Sequence, residues 1–112
     1  MLRDLVAGTI YGDSVRTEEV VVAPEADLSD AEGAIERCVA EAGLRVTMKG
    51  TVAAHKGSVH WHLKLREERG TLEVTLWPAR KRVWLSVHAN RGGGWVDEAL
   101  GRLQAALAEA LR

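Results

Sequence analysis

His60 and His62 flank Trp61 in a run, Val59 to Leu65, where apolar and polar residues alternate. On a strand such residues point the same way, roughly 6.5–7 Å apart in Cα position, so two imidazoles can share one ion. A metal site still needs a third and usually a fourth ligand. The chain has four histidines, at 55, 60, 62 and 88, and one cysteine, Cys38, which excludes both a cysteine-based zinc site and an internal disulfide. Pairing the strands through four-residue loops sets Thr51, Lys49, Trp77 and Thr75 beside His60 and His62. His88 then lies at the far end of the face, and His55 sits in a loop. None of those neighbours offers a carboxylate or thiolate, and cations beside an imidazole disfavour a bound cation. The expectation is no metal and no cofactor.

The catalytic alternatives are thin. Asp13-Ser14 and His88 combine into a triad only on paper, without a nucleophile elbow. Cys38 falls on the apolar stripe of an acidic helix, surroundings that raise a thiol pKa and leave it inert. Glu73 has Lys64 opposite it in this register, an ordinary cross-strand pair. Arg91-Gly92-Gly93-Gly94 precedes a helix, where backbone amides can cradle phosphate. No phosphate-loop lysine follows, however, and Asp97 and Glu98 would repel an anion, so the segment reads as a flexible connection. No catalytic residue is assigned.

The charges are sorted along the chain. Residues 1–43 hold ten acids and three bases, residues 44–93 ten bases and three acids, and residues 94–112 three acids and two bases, for a total of −1. The basic segment also carries all four histidines and three of the four tryptophans. A positively charged face of this kind attracts anions or another copy of the chain. No run reaches the ~18 apolar residues of a membrane span. Residues 1–7 are too short and too acidic for a signal peptide, so the expected location is cytoplasmic and no membrane partner is expected.

The elements that position these residues follow from periodicity. Helical spacing of Leu28, Ala31, Ile35, Cys38, Val39 and Ala42 predicts a helix over 28–43, opened by a Ser29–Glu32 capping box and closed by Gly43. A second stripe from Val96 to Ala110 predicts a helix over 95–112, with Trp95 anchoring it to the sheet. Between them, over 44–89, the period changes to two, predicting a meander of four strands near 45–53, 58–66, 71–77 and 82–88. Val46, Met48, Gly50 and Val52 belong to its apolar face, and Leu63, Val74 and Leu85 are central in the core. Residues 19–23, before Pro24, form a further short strand, while residues 1–16 stay unassigned. The result is one α+β domain, 1–112, of order β-α-β-β-β-β-α, with a curved antiparallel sheet and both helices on one face. This element order resembles the TATA-binding-protein-like and helix-grip architectures.

The polar face then carries the rows Thr51, His60, Trp77, Arg82; Lys49, His62, Thr75, Trp84; Thr47, Lys64, Glu73, Ser86; and Arg45, Arg66, Thr71, His88. Trp77 and Trp84 are diagonal neighbours on it. Indoles at such positions roof a sheet edge or are covered by the chain's own terminus, here the N-terminal segment, are buried in a homodimer, or serve as a stacking platform. Lys49, His60, His62, Lys64, Trp77, Arg82 and Trp84 are the candidate binding residues. The expected function is a non-catalytic binding or assembly module that meets an anionic partner such as nucleic acid on this face. The alternatives are a homodimer burying it, or a small apolar ligand held between sheet and last helix.

Overall fold

The computed structural model describes residues 14–88 and 91–112. Its elements are β1 (Ser14–Val20), α1 (Ala31–Glu41), β2 (Arg45–Gly50), β3 (Val59–Lys64), β4 (Leu72–Trp77), β5 (Arg82–His88) and α2 (Gly94–Ala110), with a 3-10 turn at Pro78–Arg80. The expected order of strands and helices is present. The sheet is antiparallel throughout and ordered β1-β5-β4-β3-β2. The meander from β2 to β5 is as expected, and β1 joins its far edge. The first strand ends at Val20 rather than spanning 19–23, and Val21 is 80% exposed. The unassigned N-terminal segment lies, up to residue 13, outside the described residues. Among the described residues no helix is long and apolar enough to cross a membrane.

Both helices pack on one face of the sheet. Trp61, Leu63, Val74, Leu85, Leu100 and Leu107 are wholly buried there, together with Ile35 of α1. The helix termini differ in part from expectation. At the start of α1 no side chain caps the helix. Ser29 instead donates its amide to Asp27 Oδ1 at 2.9 Å, an Asx turn that delays the first helical residue to Ala31. The end is as expected. Gly43 has φ +77°, and Gly43 N→Ala40 O with Leu44 N→Val39 O forms a Schellman motif that satisfies the last carbonyls. Trp95 ties α2 to the β3–β4 loop by donating Nε1–H to Arg69 O at 2.6 Å.

Two hairpins depart from the four-residue-loop register. Between β3 and β4 the partners are Leu63↔Leu72, His62↔Glu73 and His60↔Thr75, so the pairing is displaced by two residues. Arg66 at φ +49° and Gly70 at φ +106° widen that loop, and β3 stops at Lys64. A Cβ on Gly70 would lie 2.8 Å from Val96 Cγ2 and 3.1 Å from Arg91 O, so the loop can lie against the start of α2 only through a glycine. An even displacement keeps every side chain on its face but changes its neighbours.

Between β2 and β3 a bulge between Val46 and Met48 makes the displacement odd. Met48 and Gly50 therefore pair with His62 and His60 on the polar face, not the apolar one, and Lys49 pairs with Trp61. Lys49 lies on the helix side, with Nζ 2.5 Å from Glu32 Oε2 and 2.7 Å from Glu36 Oε2. It does not belong to the candidate binding face. The β4–β5 rows Trp77↔Arg82, Thr75↔Trp84 and Glu73↔Ser86 are as expected.

Candidate metal centre

The displaced β3–β4 register brings Glu73 next to the histidine pair. Glu73 is 4% exposed, on the polar face, where the expectation placed it opposite Lys64. Lys64 instead faces Arg45 of β2 and donates its ammonium to Gly70 O at 2.8 Å. Three imidazoles surround the Glu73 carboxylate. His60 Nε2 is 3.0 Å and His88 Nε2 3.1 Å from Oε1, and His62 Nε2 is 3.6 Å from Oε2. The ground for expecting no metal, that no carboxylate neighbours His60 and His62, is removed.

Each strand contributes through its pleat. His60 and His62 alternate with the core residues Trp61 and Leu63 on β3. Glu73 sits across from His62 on β4, and His88 is the diagonal neighbour of Glu73 on β5. Thr75, almost fully buried, lies 2.7 Å from His60 Nδ1 through its hydroxyl and so fixes the ring with Nε2 toward the carboxylate. This is the outer contact that a ligating histidine ordinarily has. Donor atoms of His60, His62 and Glu73 all lie within 4.8 Å of one another. Ligands held at ~2.0–2.2 Å around a tetrahedral ion stand roughly 3.4 Å apart. The imidazole contacts to Glu73, at 3.0–3.6 Å, lie around that value, within a set whose donor atoms are up to 4.8 Å apart.

The electrostatics suit a cation. Burial alone would raise the Glu73 carboxyl, but the His60 hydrogen bond and the neighbouring imidazoles of His62, His88 and His60 outweigh it. The group stays below its ordinary value and is ionised at neutral pH. Burial pushes the His62 imidazole down, with Glu73 opposing and His60, Arg91 and His88 adding to the effect. His62 is therefore neutral at neutral pH, the form that ligates metals. Among the described residues Glu73 pairs with no Lys or Arg, so its partners are the three imidazoles alone.

The remaining candidates are placed differently. Trp77 and Trp84 are on the open face as expected, but the 51–58 loop folds over them. His55 meets the two indoles edge-on, with ring centroids 4.5 and 5.1 Å away, and Trp77 donates Nε1–H to Lys56 O at 3.0 Å. The guanidinium of Arg80 lies 5.4 Å from the Trp77 ring and that of Arg82 4.4 Å from Trp84. This cover comes from the β2–β3 loop, whereas the expected cover, the N-terminal segment, lies up to residue 13 outside the described residues. Arg82 is further engaged with Glu19 of β1. Cys38 is buried, and desolvation followed by Glu41 raises its thiol pKa, in keeping with an inert role.

Sequence reasoning missed Glu73 and His88 as partners of His60 and His62. The available signal was parity, since all four residues alternate onto the polar face. No protein-family model, curated protein or solved structure matches the chain, so the functional argument rests on the geometry of the site.

Proposed function

We propose that this domain binds a divalent first-row transition metal on the open face of its sheet. His60 and His62 are the ligands through their imidazoles and Glu73 through its carboxylate, while His88 bonds the same carboxylate from β5. The observation that carries the reading is the convergence of three imidazole Nε2 atoms on one buried carboxylate. Imidazole and carboxylate together suit zinc, iron or nickel, and zinc is the practical probe. The domain thus remains a binding module, as its composition suggested, with a different centre. The nucleic-acid reading has less support, since His55 meets the Trp77 indole edge-on and Arg80 and Arg82 lie near the Trp77 and Trp84 rings. A ligand between sheet and last helix, in the helix-grip manner, would have to displace Leu100, Leu103 and Leu107, which fill that layer.

Zinc-loaded, untagged protein analysed after dialysis is expected to hold about one equivalent of metal. Glu73→Gln and His60→Ala should each lower the affinity by 10-fold or more, in line with the ~10–100-fold typical of even outer-shell changes. Wild-type protein that releases all its zinc to micromolar chelator-free buffer would sink the proposal. As a second reading we propose a homodimer through the β2 edge rather than the indole-bearing face, supported by Val46 and Met48, which are 40% and 42% exposed. Sedimentation should then show a dimer that Met48→Lys converts to monomer, and a wild-type monomer at high concentration removes that reading.

A further inference from the structure

We infer that the cavity beside His62 is an oxyanion subsite, so that the metal centre works with a small ligand bearing a phosphate or carboxylate group. This deepens the metal-binding reading and rests on it for the coupling between the two sites, though not for the anion contacts themselves. The cavity has a volume of about 390 Å³ and is lined by Thr47, His62, Lys64, Gly70, Thr71 and Arg91. No acid lines it.

The two cations are what single it out. The other cations on the described strands are already engaged: Arg16 with Asp97, Arg45 with Glu67, Lys49 with Glu32 and Glu36, and Arg82 with Glu19. Among the described residues Lys64 and Arg91 make no ion pair. Lys64 is held in place by one bond to a neutral acceptor, Gly70 O at 2.8 Å. Two of its roughly three N–H donors are thus left for a ligand. Arg91 adds a planar fork suited to an oxyanion.

His62 is the joint between the two sites. Its Nε2 faces Glu73 while its ring borders the cavity, so an anion bound here lies next to the metal. The dication then adds its own attraction to that of Lys64 and Arg91. A second cavity of about 190 Å³ lies on the other side of the centre, lined by Val52, His55, His60, Glu73, Trp84 and His88 among others. It holds no Lys or Arg and includes the carboxylate itself, so an anion is directed to the His62 side.

The test is calorimetric titration of inorganic phosphate, and separately of malonate, into zinc-free and zinc-loaded protein. Zinc-free wild type should bind at least one of the two, and which one it binds identifies the group. Lys64→Met and Arg91→Met should each weaken that binding on the order of tenfold. Circular dichroism should show both variants folded. In the wild type zinc should tighten oxyanion binding, and the oxyanion should tighten zinc binding by the same factor. The inference is overturned if neither oxyanion binds the folded zinc-free protein at about 10 mM, if binding survives both substitutions, or if bound zinc leaves it unchanged. Oxyanion binding that depends on Lys64 in a protein unable to hold zinc would instead remove the metal reading alone.

Discussion

Trp61→Ala is expected to lower the unfolding free energy by about 3–5 kcal/mol, the range for removing a large aromatic side chain from a core. The indole is wholly buried at the centre of the layer between sheet and helices. It has a second role that the aliphatic core residues lack. Its Nε1–H donates to Glu36 Oε2 at 3.0 Å, and Lys49 sits beside the same carboxylate with Nζ 5.9 Å from the ring. These contacts hold Glu36 below its ordinary pKa, Lys49 contributing most and Trp61 next. They also fasten α1 to strands β2 and β3. Trp61→Phe separates the parts, since it keeps most of the volume and loses the donor, and about 1–2 kcal/mol is expected. Urea unfolding of both variants checks the pair, and a Trp61→Ala cost below about 1 kcal/mol would contradict the central placement of this residue.

Zinc at a hundredfold excess over its dissociation constant is expected to stabilise the protein by about 2.7 kcal/mol. For a domain of this length that corresponds to a thermal midpoint roughly 10 °C higher. The gain should vanish in Glu73→Gln and reverse with chelator. Its pH dependence has a definite sign. Protons compete for the imidazole nitrogens, so the zinc-dependent gain should fall as pH drops below about 6.5. The metal-free protein should weaken in the same direction. Glu73 and His62 both have folded pKa values below their ordinary ones. Their contributions are present above the unfolded values and are lost as pH falls through the folded ones, His62 first and Glu73 in the carboxylate range. A midpoint raised equally by zinc in wild type and Glu73→Gln would place the metal elsewhere.

The faces of the sheet were legible in the residues. Alternation alone placed Leu63, Val74 and Leu85 in the core, and His60, His62, Glu73 and His88 on the opposite side. It could do so because side-chain direction on a strand depends only on counting by two. The stop of α1 was legible too, because few residues but glycine adopt the conformation that Gly43 needs. Which polar residues meet was a different matter. That depends on register, and register depends on loop conformations that carry weak local signals. Arg66 in the left-handed region and Gly70 packed under α2 displaced β3 against β4 by two residues, which carried Glu73 from Lys64 to the histidines. A single bulge in β2 turned Lys49 to the helix side, where Glu32 and Glu36 were waiting on α1. Both outcomes are set by contacts between segments far apart in the chain, and only the assembled sheet and helices bring those segments together.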